Sequence, residues 1–188
     1  MKIFFDTEFT ELSKKAELIS IGMIDENDNS FYAELNDYNI VNLDKWVKEN
    51  VIANLLYNNH SPFNKIKRAN DHTDVIVKGN KEDVKKHLSS WFSNYSIIEL
   101  VTDVGHYDMV LLVDIFGTAM DLPKNIAPTY FDINQMIADY YHIGLKEAFD
   151  ISRENLAFNH EPIDYENKHN AMWDAYVIKK IWQKLQEK

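Results

Sequence analysis

Near its start the chain carries Ile3-Phe4-Phe5, an unbroken apolar run that stops at Asp6. Inside an extended segment, Lys2–Phe9, a run without polar alternation marks a strand covered on both faces. Such a strand lies inside a sheet, so the rest of the chain must supply neighbouring strands and helical layers above and below. Glu17–Ile24 reads as a second strand, with Leu18, Ile19, Ile21 and Ile24 as its apolar positions. The polar run Asp25-Glu26-Asn27-Asp28-Asn29 is a turn, and Ser30–Leu35 follows as a third strand. Short, turn-rich links make these three an antiparallel meander.

Beyond the meander, Leu43–Tyr57 has a helical pattern, and residues 58–78 read as irregular with a basic cluster at Lys65, Lys67 and Arg68. Asn80 is placed to cap a helix reaching Tyr95, with Val84, Leu88, Trp91 and Phe92 on one face. Ile97–Thr102 is a fourth strand, Tyr107–Phe116 a helix, and Thr129–Asp132 a short strand entering a helix that reaches about His142. The last helix, Ala171–Leu185, buries a stripe of Val177, Ile178, Ile181, Trp182 and Leu185. A meander followed by helix-linked strands gives an α/β mixed sheet flanked by helices, in one domain over residues 1–188.

The formal net charge is −10. An acidic surface disfavours long-range capture of a long polyanion. Two readings satisfy it: the partner is not nucleic acid, or buried acidic ligands inflate the count and a local basic strip does the binding. With no cysteine, disulfides and thiolate metal sites are excluded. The start MKIFFDTEF has acids where a leader's apolar stretch would continue, and no apolar run is long enough to span a bilayer, so a cytoplasmic protein is expected.

Asp6 and Glu8 stand two apart on a strand and therefore point the same way. Two such anions repel unless a cation lies between them, and hard oxygen ligands suit Mg²⁺ or Mn²⁺. Taken alone, the tripeptide reads more simply as a strand ending in a solvated acidic turn. Asp108 shares a helical face with Leu111, Leu112 and Ile115, where an acid needs a partner or a metal; an acid in the first turn, favoured by the helix dipole, fits equally well. Asp174 repeats the pattern against Ile178, Ile181 and Leu185, and His169 precedes that helix on a loop. Taken alone His169 reads as a solvated histidine. Four acids at the ends of apolar elements on three separate segments are harder to dismiss together.

Three segments in order, Phe5-Asp6-Thr7-Glu8-Phe9, Val104-Gly105-His106-Tyr107-Asp108 and His169-Asn170-Ala171-Met172-Trp173-Asp174, resemble the three exonuclease motifs of the DEDDh superfamily. The last fits the pattern His-x-Ala-x-x-Asp. The opening Asp-Thr-Glu-Phe, the strand Glu17-Leu18-Ile19-Ser20-Ile21-Gly22 and Gly105-His106-Tyr107-Asp108 resemble small bacterial exoribonucleases similar to ribonuclease T, in particular the mycobacterial 3′–5′ exoribonuclease group. One position departs: many members carry Asn three residues before the second-motif acid, where this chain has Gly105.

The resemblance implies a ribonuclease H-like fold and two Mg²⁺ or Mn²⁺ ions held by Asp6, Glu8, Asp108 and Asp174. It implies His169 as general base, with nucleoside 5′-monophosphates released from a free 3′ end. The implied partner is single-stranded nucleic acid, with RNA favoured, and the implied assembly is a homodimer. Phe9 is a candidate to stack on the terminal base, although a core position suits it slightly better; Thr7 and Tyr107 flank the motif acids as further substrate contacts, and Lys65, Lys67 and Arg68 are candidate phosphate contacts or a solvated basic loop. The same chemistry on DNA, a catalytically silent nucleic-acid-binding module, and a metal-dependent phosphatase acting on small nucleotides are the alternatives.

Overall fold

In the computed structural model, residues 1–57, 71–159 and 168–187 are described. Among them lies a six-stranded mixed sheet flanked by helices, consistent with a ribonuclease H-like fold. The strands are β1 (Lys2–Phe9), β2 (Leu18–Asp25), β3 (Ser30–Leu35), β4 (Asp74–Gly79), β5 (Ile98–Thr102) and β6 (Ile126–Asp132). Their spatial order is β4-β3-β2-β1-β5-β6. The meander is present: β1–β2 and β2–β3 are antiparallel, whereas β4, β5 and β6 each join in parallel.

The apolar run of β1 divides between two cores because successive side chains alternate across a strand. Ile3 and Phe5 join Met23 and Phe31 under the helices α2 (Lys81–Phe92) and α3 (Gly105–Phe116). Phe4 joins Ile24, Tyr32 and Val101 under α4 (Ile133–Tyr141) and α7 (Ala171–Gln186). Asp6 and Glu8 continue the Phe4 side toward α7, while Thr7 continues the Phe5 side toward α3. The end of β1 thus presents chemistry to both helical layers at once.

Gly22 explains how close α7 comes. A Cβ at Gly22 would lie 2.4 Å from the Ala171 carbonyl and the Met172 nitrogen, all backbone atoms. Asp6 is the cross-strand partner of Gly22, so this contact sets the distance between Asp6 and the first turn of α7. Gly22→Ala is expected to lower stability by about 3 kcal/mol or more, since backbone cannot yield as a side chain does. Urea denaturation checks it; an unchanged midpoint would mean that α7 sits farther off.

Three sequence expectations need correction. Within the segment read as irregular, Asp74–Gly79 is an edge strand paired with β3, built on the β-branched Val75-Ile76-Val77. Lys65, Lys67 and Arg68 lie outside the described residues. The helix expected over Leu43–Tyr57 is shorter: α1 covers Lys45–Asn50 and a 3₁₀ turn covers Ile52–Asn54. Two asparagines account for the break, because their amides compete for helix carbonyls. Asn50 Nδ2 donates to Trp46 O at 2.9 Å and Asn54 Nδ2 to Asn50 O at 2.7 Å. Finally, α5 (Leu145–Asp150) and α6 (Arg153–Phe158) form two short helices that no sequence pattern marked.

Asn80 does cap α2, with a reciprocal bond from Asp83, and Val84, Leu88, Trp91 and Phe92 are buried. No described helix is long and apolar enough to cross a membrane.

Candidate active site

Each motif acid stands where a buried element meets open space. Asp6 and Glu8 end β1, Asp108 lies in the first turn of α3, and Asp174 in the first turn of α7. All four line one cavity of about 500 Å³, together with His169. Glu8, His169 and Asp174 each offer a ligand atom, and these lie within 4.8 Å of one another.

The electrostatics of this grouping are adverse for a metal-free protein. Burial first, then repulsion from Asp108, Asp174 and Glu8, holds Asp6 well above the usual carboxylate range. Glu8 is raised by burial and by Asp174 and Asp108. Asp174 is pushed up to about 8, by burial and then by Glu154. Asp108 reaches about 7 through burial, even though its hydrogen bonds oppose the shift.

Asp108 is 3% exposed and its carboxylate is held from three sides. Thr7 donates its N–H at 3.1 Å and its hydroxyl at 2.6 Å to Oδ1, and the Thr102 hydroxyl donates to Oδ2 at 2.5 Å. With two acceptor sites per oxygen, Oδ2 keeps one lone pair for a further partner. Thr7 is 4% exposed, and its placement is that of a support for Asp108. Thr102 does the same from β5 and was not singled out in the sequence.

The donor set fits hard divalent cations: carboxylates crowded until they retain protons, and few cations around them. Among the described residues that line the cavity, Lys168 and Arg153 are the only lysine or arginine. Arg153 is spent. Nε and Nη2 donate to Asp103 at 2.7 and 3.3 Å, Nη1 donates to the Ala148 and Ile151 carbonyls, and Nη2 also donates to Asn134. All five guanidinium protons go to protein acceptors, so Arg153 ties α5 and α6 to the end of β5 rather than neutralising the cluster.

Asp103, just past the end of β5, belongs to the same network and accepts from Arg153 and from Asn134 Nδ2 at 2.7 Å. Gly105 has no room for a side chain: a Cβ there would lie 2.3 Å from the Tyr130 ring and 2.6 Å from Thr102 Cγ2. Its N–H donates to Asp132 Oδ2 at 3.2 Å. An aromatic ring is therefore packed over the α3 start at Gly105.

His169 is half-buried, with a left-handed backbone (φ 63°). Burial and the neighbouring Lys168 lower its pKa below the ordinary imidazole value, partly opposed by Glu154. Glu154 is a buried acid in the first turn of α6 that lines the same cavity. Nothing in the sequence marks it, because α6 has neither a recognisable motif nor a long apolar period. Phe9 and Tyr107 meet at 6.1 Å between ring centroids and form part of the rim; Phe9 also packs on the core beneath. Leu12, Trp46 and Phe149 complete an apolar margin that the sequence reading did not include.

No protein-family model matches this chain. It is similar to proteins named 3′-5′ exoribonuclease from two strains of Mycobacterium tuberculosis, with 27% identity over 139 residues. The match covers 74% of this chain and 75% of each relative, so it extends well beyond the short motifs.

Proposed function

We propose that this chain is a metal-dependent 3′→5′ exonuclease that removes nucleoside 5′-monophosphates from single-stranded RNA. The observation that carries the reading is the convergence of Asp6, Glu8, Asp108 and Asp174, each with its carboxyl group pushed upward. The names of the mycobacterial relatives support RNA as substrate and 3′→5′ as direction.

In this reading Asp6, Glu8, Asp174 and the remaining lone pair of Asp108 would hold two Mg²⁺ or Mn²⁺ ions. Such a pair supplies a water activated for attack and charge stabilisation for the attacking and leaving oxygens. His169 would serve as the base for the attacking water, and burial, which lowers its pKa, favours the neutral, proton-accepting form at pH 7. Thr7 and Thr102 hold Asp108 in line, and the rim of Phe9 and Tyr107 receives the terminal base. The acidic balance of the chain suits short or end-held strands over long duplexes.

The test is incubation of 5′-labelled single-stranded RNA and DNA with Mn²⁺, with and without chelator. The expected result is stepwise shortening of RNA in preference to DNA, abolished by chelator and slowed by a 3′-phosphate. Labelled mononucleotide appearing first from the 5′ end would refute the direction, and activity in excess chelator would refute the metal. A homodimer is part of the same reading, and light scattering decides it: a mass near 22.1 kDa instead of twice that counts against it.

A further inference from the structure

We propose that Asn54, which lies outside the acid cluster, is a positioning residue for His169, and that Trp46 seats the imidazole ring. This rests on His169 acting as the base. The 45–54 segment and the His169 loop are far apart in sequence, yet Asn54 clasps both residues that flank His169. Its Nδ2 donates to Lys168 O at 2.7 Å, and its own carbonyl accepts from Asn170 Nδ2 at 2.7 Å. The second Nδ2 proton goes to Asn50 O at 2.7 Å, so both amide protons are committed and the side chain has one orientation.

Asn170 passes the constraint on. Its Oδ1 caps α7 by accepting from Met172 N at 3.0 Å and Trp173 N at 3.4 Å. One residue on each side of His169 is thereby fixed, and the residue between them is held in the left-handed region. That conformation is unfavourable for a non-glycine residue and persists only where the surroundings over-determine it. The Trp46 ring of α1 meets the His169 ring edge-on, with centroids 4.8 Å apart. Trp46 is 50% exposed, so its burial explains little of its placement, and the ring contact with His169 is what it supplies at the cavity.

Because Asn170 also caps α7, the action of the clasp on His169 is separated from general support of the fold by its non-additivity with a His169 substitution. Asn54→Ala is expected to lower kcat on a short oligoribonucleotide by about 10–100-fold, as misplacement of a catalytic group by about an ångström does. KM should stay within about threefold, because the lost interaction belongs to the transition state. In a His169→Ala background the same substitution should cost almost nothing further. Equal losses in both backgrounds, or no loss in the first, overturn the proposal. Trp46→Leu is the second variant, expected to cost about 3–10-fold with the same non-additivity, and it stands if Asn54→Ala does not fold.

A readout free of turnover separates the clasp from the role of His169. The His169 Cε1–H proton should carry a ring-current shift from Trp46, identified by its loss from the spectrum of His169→Ala. Trp46→Leu should abolish the shift and Asn54→Ala should reduce it. If His169→Ala keeps full activity, the base assignment fails, while the proton shift still reports whether the clasp exists. An unshifted His169 proton in the wild type overturns the seating of the ring.

Discussion

Asp6→Asn and Asp174→Asn are each expected to abolish nucleotide release, by about 10³-fold or more, and to raise the melting temperature of the metal-free protein at pH 8. The two effects share one cause. Asp174 and Asp108 are raised to about 8 and about 7 in the fold, against 3.8 for an unperturbed aspartate, and Asp6 and Glu8 are raised as well. The folded metal-free chain therefore holds protons that the unfolded chain releases above pH 4. More protons on the native state means that stability falls as pH rises, from about 4 up through the folded values of about 7 and 8. Each group titrating in that window contributes at most about 1.4 kcal/mol per pH unit, and less where the carboxylate opens to the cavity, as Asp6, Glu8 and Asp174 do. Asparagine removes one of the repelling charges without changing the shape.

Divalent cation should reverse the dependence, because an ion bound only by the native state adds stability in proportion to the logarithm of its concentration. Melting scans from pH 5 to 8, with chelator and with Mn²⁺, give the measurement. A metal-free protein whose melting temperature rises steadily over that range would mean that the acids do not repel in one site. Near-normal turnover by either variant at saturating Mg²⁺ would remove that residue from the metal site.

The strands of the meander were legible because their signal is local. Ile3-Phe4-Phe5, the Leu18–Ile24 pattern and the polar turn between β2 and β3 each fit one element. Edge strand β4 was missed for a physical reason: one face of Asp74–Gly79 is solvated, so its run Val75-Ile76-Val77 is only three residues long and stands between polar flanks. The grouping of Asp6, Glu8, Asp108, His169 and Asp174 was accessible through motif order. The parts that hold them were not, because Thr102, Asn54, Arg153 and Glu154 act through tertiary contacts between segments. Gly22 shows the same limit. Its role is visible only once the α7 backbone is known to lie against β2.

His169→Ala is expected to lower turnover by about 10²–10⁴-fold, the range for removal of a general base, with Mn²⁺ affinity nearly unchanged. The geometry leaves a rival open to direct test, since an imidazole nitrogen lies within 4.8 Å of ligand atoms on Glu8 and Asp174. Two arguments favour the base. Hard Mg²⁺ prefers oxygen over imidazole nitrogen. And burial, with Lys168 adjacent, depresses the pKa of His169, so the neutral, proton-accepting form dominates at pH 7. The sign for activity follows: kcat should climb with pH through a value below the ordinary 6.5 and level off above it. At saturating metal the carboxylates stay ionised, which separates this limb from any caused by metal loss, because only the latter moves with Mn²⁺ concentration. In His169→Ala the metal-independent limb should vanish. Calorimetric titration of the variant with Mn²⁺ completes the test: a large loss of affinity would make His169 a ligand, and an unchanged affinity together with a surviving limb would place the base elsewhere.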